Sequence, residues 1–376
     1  MSRASTLKFP NAKNDFFATL NKRVNDYFKS NQISKHANAS MVFKTIFMFS
    51  LYFIPYALII SGTVTSMSAI ILLVVVMGLG TAGIGLSIMH DANHGAYSTK
   101  PWINNLLGYS LNLVGANAFN WKVQHNVLHH TYTNVYDADE DISPRGVLRM
   151  SPYSKKHYMH RFQHIYAWVL YGLMTIVWLV AKDFKRLAQY NKDGLVKRQK
   201  TTVTKEWAVL IFTKLFYIGY IFVLPIMLTD LLWWQVVVGF FIMHYIAGFI
   251  LAIIFQPAHV IDGTEYPEPD TQGNLEDVWA IHQLRTTTNF ANNNRILSWY
   301  VGGLNYQVEH HLFPHVCHVH YRQISKIVKQ TAEEFGVPYK SEPTFISALV
   351  SHAKLLKELG SAPELEMVHQ PNMAHA

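Results

Sequence analysis

A single cysteine stands in a chain of 376 residues. That excludes a disulfide framework and any zinc or iron–sulfur site built on thiolates. Charge is scarce as well: Asp, Glu, Lys and Arg make up 15% of the chain, against roughly 25% in average usage. With a mean hydropathy of +0.09, this argues against a disordered chain, which needs low hydrophobicity and high net charge. Acids are the rarer sign, 24 against 32 Lys and Arg, leaving a formal charge of +8 and a pI near 9.3. Such a balance suits nucleic acid, a membrane surface or an anionic substrate. No nucleic-acid motif is present, so no nucleic-acid partner is expected. No short apolar stretch with a small-residue cleavage site opens the chain, so no secretory signal is expected. Solenoid repeats and low-complexity tracts are also missing.

Long apolar runs are plentiful. They cover residues 45–61, 68–89, 207–229 and 231–255. The 68–89 run carries no charge, and as a helix it rises about 33 Å, enough for a hydrocarbon core of roughly 30 Å. Pro55 and the glycines at 78, 80, 83 and 85 would be costly in a soluble helix but are tolerated between membrane helices. A further run at 165–181 precedes a basic stretch with Lys182, Lys185, Arg186, Lys192, Lys197, Arg198, Lys200 and Lys205. If it spanned, those cations would lie across the membrane, against the positive-inside tendency. It is therefore expected to be interfacial or partly inserted.

The expectation is an all-α integral membrane protein, with four transmembrane helices in two hairpins and a cytosolic helical cap holding a di-metal site. A basic cytosolic segment at 1–43 holds Arg3, Lys8, Lys13, Lys22, Arg23, Lys29 and Lys35. Residues 44–340 form the main domain. Residues 341–376 form a cytosolic helix and tail, loose from 361 on. Amphipathic patterns such as IVKQTAEEF and LVSHAKLLKEL mark helices near the end.

Histidine is the over-used residue, with 20 copies. Three clusters stand out: HDANH at 90–94, HNVLHH at 125–130 and QVEHH at 307–311. On a helix, residues three or four apart share a face. His90 then points with His94, His125 with His129, and Gln307 lies over His310 and His311. Seven histidines exceed one four-ligand site and suit two metals. Nitrogen-rich coordination fits iron, zinc, copper or nickel, and the spacing does not choose between them. It differs from bundle di-iron sites built on Glu and Glu-x-x-His.

Asp91 and Glu309 sit inside the clusters, and Asp137, Asp139 and Glu140 follow the second. Such acids can accept the second ring N–H of a ligand histidine. His244 lies 15 residues before His259, about 22 Å along a helix. The two cannot share a centre, and His244 is expected to be a hydrogen-bonded intramembrane residue. His282, His315, His318 and His320 are expected at the surface or behind the ligands, and His157, His160 and His164 in interfacial packing.

HDANH, HNVLHH and QVEHH, in this order around these hairpins, resemble the three histidine boxes of the membrane fatty acid desaturases. The last box, within GGLNYQVEHHLFP at 302–314, resembles the front-end or linoleoyl-CoA-type members and their bacterial relatives. The resemblance covers roughly residues 45–340. It implies two iron ions held by His90, His94, His125, His129, His130, His310 and His311, with His259 as an isolated further ligand. Gln307 is a possible ligand or supporting group, as are Asp91 and Glu309. It also implies O2 as cosubstrate and removal of two hydrogens from an acyl-CoA or membrane acyl-lipid chain, leaving a cis double bond.

Many front-end members carry a fused cytochrome b5 with an HPGG motif. HPGG does not occur in this sequence, so electrons are expected from a separate cytochrome b5, ferredoxin or rubredoxin. The active site should face the cytosol, at a bacterial inner membrane or the endoplasmic reticulum. Trp121, Phe119, Trp279 and Tyr306 could line an apolar tunnel, and the stretch from Lys182 to Lys205 could attract an anionic head group. Competing readings are a membrane hydroxylase with similar boxes, a zinc hydrolase and a metal transporter. A transporter should place its ligands near the midplane, whereas these clusters fall at span ends.

Overall fold

The computed structural model describes residues 6–11, 15–142 and 146–366. Arg3, Lys13 and the tail from 367 on lie outside them. Helix α1 (Asp15–Ser30) buries Phe16, Leu20, Val24 and Phe28, one residue per turn on one stripe. Helix α2 (Ala39–Ile60) starts where the Asn38 side chain accepts a hydrogen bond from the Met41 amide. Then come α3 (Met67–Asn93), the bent pair α4 (Tyr158–Gly172) and α5 (Met174–Lys192), α6 (Val203–Leu228) and α7 (Trp233–His259). Four of these helices, α2, α3, α6 and α7, are long and apolar enough to cross a membrane.

Each apolar run expected to span falls on one of these four helices, with shifted ends. The first starts at Ala39, earlier than 45, because Lys44 is buried rather than a boundary charge. The second runs to Asn93 instead of 89 and so carries the first four residues of HDANH, with His94 at its C-cap. The last continues to His259 rather than 255.

Their surfaces are inverted relative to a soluble bundle. Phe43, Ile46, Phe212, Leu215, Trp233 and Phe241 are exposed, while Lys44, Lys214 and His244 are buried. Contiguous apolar surface of this extent is not kept in water; it fits a lipid surround. The run at 165–181 falls on α4 and α5, which meet at 62°. There α4 lies against α7 so closely that a Cβ on Gly248 would stand 2.7 Å from the Gly172 carbonyl oxygen.

Four further helices gather near the ends of α3 and α7: α8 (Trp279–Thr286), α9 (Gln307–Leu312), α10 (Tyr321–Glu334) and α11 (Phe345–Ser361). A short parallel pair, β1 (Asn289–Phe290) with β2 (Ser341–Glu342), ties the segment before α9 to the one before α11. Helix α10 lies antiparallel to α1: Phe28 meets His320 at one end and Phe16 meets Phe335 at the other. Helix α11 is clamped by the fully buried Arg149, whose guanidinium donates to the carbonyls of Leu359, Ala362 and Pro363.

Candidate metal centre

Two wide helical turns prepare the histidine geometry. Helix α3 loosens into a π-type turn at Ile84–Met89, immediately before HDANH. The second box is itself a π-type turn, Lys122–His129, in which the His130 amide donates to the His125 carbonyl five residues back. Such turns concentrate at functional sites. The third box reaches the first through Gly302 and Gly303, both at positive φ. A Cβ on Gly302 would lie 2.5 Å from the Leu86 carbonyl oxygen and 2.7 Å from Ser87 Cα. Only glycine takes that conformation and permits that approach without strain.

The imidazoles converge as two buried groups. His90, His94, His125 and His310 offer nitrogens within 4.8 Å of one another, and so do His129, His259 and His311. His130 stands between them, its Nε2 2.9 Å from His310 Nε2 and 3.2 Å from His125 Nε2, with its ring stacked on His311 at 4.3 Å. All eight candidate histidines are thus brought together. The wide turn keeps His125 and His129 stacked at 5.2 Å; each belongs to a different one of these groups, and the two also form a third with Asp141, again within 4.8 Å.

The group of three has the simplest logic. His129 Nδ1 donates to Asp139 (2.9 Å), His259 Nδ1 to the Thr286 carbonyl (3.3 Å) and His311 Nδ1 to Gln283 Oε1 (2.7 Å). Each Nδ1 is therefore occupied, and each Nε2 is buried without a partner. Three bare nitrogens facing one point are costly unless something binds them. The chemistry fits a metal that takes neutral imidazole, with the outward N–H fixing tautomer and ring. His94 Nε2 in the first group is likewise bare. Burial, followed by the neighbouring imidazoles, pushes His130, His310 and His311 well below the ordinary histidine range. Burial likewise takes His125 down to about 3 against the pull of Asp141. Burial opposes charge on His129 too, but Asp139 outweighs it and holds that pKa above its usual value.

The other sequence candidates divide. Asp91 accepts from the amide and Nδ1 of His318, at 3.1 and 2.8 Å, and its other oxygen lies 3.9 Å from His90 Nδ1. Lys44 Nζ sits 2.6 Å from His318 Nε2, so a cation already fills the pocket formed by Asp91, Cys317 and His318. Glu309 accepts from Asn289 and Tyr339, both at 2.9 Å, and among the described residues no hydrogen bond joins it to an imidazole. Burial, only partly offset by these bonds, raises its carboxyl to about 7. Glu140 accepts from Arg186 and Tyr190. Gln307 is buried one turn before His311, and both its amide atoms lack a partner.

His244 is hydrogen-bonded to Tyr217 and Thr175 inside the bundle, as its distance from His259 implied. His315 donates to the His94 carbonyl. His282 is fully buried rather than at the surface. Sequence reading passed over Asp141 and Gln283. The run DADED at 137–141 held the first in plain view; nothing local marked the second.

Beside the first group lies a narrow cleft of about 10 Å³, lined by Trp121, Gln124, Trp178, Lys182, Asp183 and Arg186 among others. The Trp121 ring stacks on His125 at 4.4 Å, joining cleft to centre. Phe119, Trp279 and Tyr306 do not line it; Trp279 instead donates its indole N–H to the His130 carbonyl.

Long apolar helices around a buried polyhistidine cluster define a protein of the membrane type with side chains that could hold metal. The family model for "Fatty acid desaturase" matches residues 65–343, and the chain belongs to that family: it is an oxidoreductase that desaturates fatty acids. It is 38% identical to an sn-1 linoleoyl-lipid 6-desaturase of Synechocystis, over 96% of this chain and all of the relative. It is 36% identical to one of Arthrospira platensis, over 94% of this chain and 95% of the relative. An acyl-lipid (8-3)-desaturase of Physcomitrium patens is 38% identical over 95% of this chain and 74% of the relative.

Proposed function

We propose that the protein is an O2-dependent di-iron desaturase that places a cis double bond in an acyl chain of a membrane lipid. The observation that carries this is the trio His129, His259 and His311, each with Nδ1 tied outward and Nε2 bare. One iron would be held there and the other by His90, His94, His125 and His310, with His130 between. Gln307, buried one turn before His311 with both amide atoms bare, is a further candidate ligand in this reading. When bound, the irons supply the oxidising power that an unactivated methylene demands. Overall, the two hydrogens lost by the –CH2–CH2– unit, together with two electrons and two protons, reduce O2 to two waters.

The chain's own residues do the positioning. Asp139, Gln283 and the Thr286 carbonyl keep the rings aimed inward. Trp121 offers a flat apolar wall beside His125, against which an alkyl chain would lie once the narrow cleft widens to admit it. Lys182, with Nζ 5.2 Å from the Trp178 ring centre, and Arg186 stand at the same cleft and suit a phosphate or other anionic head group. Tight walls exclude water from the reaction. The acyl-lipid names of the relatives support a lipid-borne chain over a CoA ester. In this reading the histidine ends of α3 and α7 face the cytosol, where Lys and Arg are abundant. The helices at 44–340 carry the catalysis, and electrons arrive from a separate carrier protein.

Lipid profiling of a host expressing the chain with a carrier, beside a His129→Ala control, tests this. A new lipid two mass units lighter, absent in the control, with about two irons per chain, is expected. A product heavier by one oxygen, or none in any donor background, would overturn it.

A further inference from the structure

The cap formed by α1 and α10 separates its charges along its length. At one end lie Asp15, Glu333 and Glu334, with Arg23 paired to Glu334; at the other lie Lys29, Lys35, Arg322 and Lys326, all four exposed, while Asp26, the one acid on that half of α1, is taken up by Lys22. The ends are fixed by contacts. Phe28 packs on His320 at 5.1 Å, the Lys35 carbonyl accepts from the Cys317 amide, and the His36 carbonyl accepts from His320 Nε2. Lys29 and Lys35 therefore border the start of α10, where Arg322 and Lys326 project.

Local structure does not account for this placement. Arg322, Lys326 and Lys329 recur at four and three residues on the face opposite the buried Ile324 and Val328. No acid occurs in the first nine residues of α10, and its glutamates come at its C-terminal end. Cations at the start and acids at the end of a helix both oppose the macrodipole. Among the described residues, Lys29, Lys35, Arg322 and Lys326 have no ion-pair partner; Lys329 reaches Glu333 at 3.9 Å. Where local rules are broken without local compensation, a functional demand is the usual cause.

The same end of α10 touches the centre. Tyr321, its first residue, is buried, and its hydroxyl lies 3.1 Å from His310 Nδ1. The exposed Arg322 is thus one residue and one hydrogen bond away from a histidine of the larger group. No other basic surface considered above has so short a bonded connection.

We infer that this cationic end of the α1–α10 pair is the docking surface for an acidic, soluble one-electron carrier protein. The inference rests on the oxidative reading given under Proposed function. Each docking event oxidises the carrier by one electron and passes that electron inward. Two events serve one turnover, and with two protons from water and two hydrogens from the acyl chain they reduce O2 to two waters. Charge complementarity sets encounter rate and salt dependence more than contact area does, which suits a partner that must leave after each electron.

The test holds the full chain in neutral phosphatidylcholine nanodiscs, so that anionic lipid cannot compete. Binding of an oxidised plant-type ferredoxin is measured against ionic strength. The unmodified chain should bind it, more weakly as salt rises. Lys29→Glu/Arg322→Glu/Lys326→Glu should weaken binding about tenfold or more at low salt and flatten the salt dependence. Lys354→Glu/Lys357→Glu, on exposed α11 positions, should change neither. Circular dichroism and the metal content of each variant verify the fold. Equal weakening by both sets, or none by the first in a folded chain, overturns the surface. Absence of ferredoxin binding by the unmodified chain overturns it too. Absence of any unsaturated product alongside intact, salt-dependent binding overturns the desaturase reading instead.

Discussion

Asp139 and Glu309 are both buried carboxylates beside histidines of the boxes, yet only Asp139 meets a ring. Asp139→Asn keeps the shape but weakens the acceptor for His129 Nδ1. It should lower metal affinity about 10- to 100-fold, read by cobalt(II) absorption titration of the purified chain. Glu309→Gln should stay within about twofold, because no imidazole loses its acceptor. A fall as deep as that of Asp139→Asn would show that Glu309 acts on the rings after all. The contrast also marks how far single residues were legible. Histidines were found by recurrence and spacing, and a glutamate between two of them looked equally involved. A helix six residues long sends neighbours to different sides, so adjacency in sequence said nothing of where that carboxylate points. Gln283 was illegible for the opposite reason: its partner His311 is 28 positions away, and only the folded chain brings the two together.

Helices were legible where hydropathy alone decides, which is why α2, α3, α6 and α7 follow the apolar runs closely. What the runs hide is helical pitch. An α-helix sets His129 over His125, whereas the wide turn at Lys122–His129 brings His130 beside His125 as well. The segment at 165–181 was ambiguous because it is apolar like a span but flanked by cations; the structure bends it by 62° at Leu173. Two predictions belong to this scale. Gly302→Ala forces a side chain onto positive φ and into the Leu86 carbonyl. It should cost at least ~2 kcal/mol of stability, seen as a lower thermal midpoint. An unchanged midpoint would mean that the third box does not depend on this approach. Helix α11 should respond to acid. His352 is buried between Tyr171 and the Val260 carbonyl, and burial lowers its pKa to about 4. Unfolded, it would take a proton below about pH 6.5; folded, it resists until about pH 4. Its contribution is therefore constant above pH 6.5 and falls as pH drops, by about 2 kcal/mol near pH 5. Hydrogen exchange in 345–361 should accelerate over that window, and His352→Asn should remove the acceleration.

Across the whole molecule, the bent segment, the third long helix and the approach to the second box meet at one buried ion pair. Lys214 of α6 donates to Asp183 of α5 at 2.5 Å and to the Gly115 carbonyl at 2.7 Å. Asn120, just before the box, donates to the Asp183 carbonyl at 2.8 Å. Lys214 stood out in the sequence only as a blemish in an apolar run, because its acid is 31 residues away on an element whose path hydropathy did not fix. A pair this deep is a poor source of net stability, since both charges lose their water. Its use is geometric: Asp183 and Asn120 line the cleft beside Trp121, and the pair sets that wall against α6. Removing one partner leaves a buried charge alone, so Asp183→Leu should cost about 3–5 kcal/mol. Asp183→Leu with Lys214→Met removes both charges and should recover most of that loss, even to slight net stabilisation. Thermal unfolding in nanodiscs compares the single with the double variant. If the double variant is no better than the single, the pair is not isolated from water and the wall is held by something else. If stability returns while the product profile broadens over several double-bond positions, the ion pair is what holds the acyl chain in register beside the histidines.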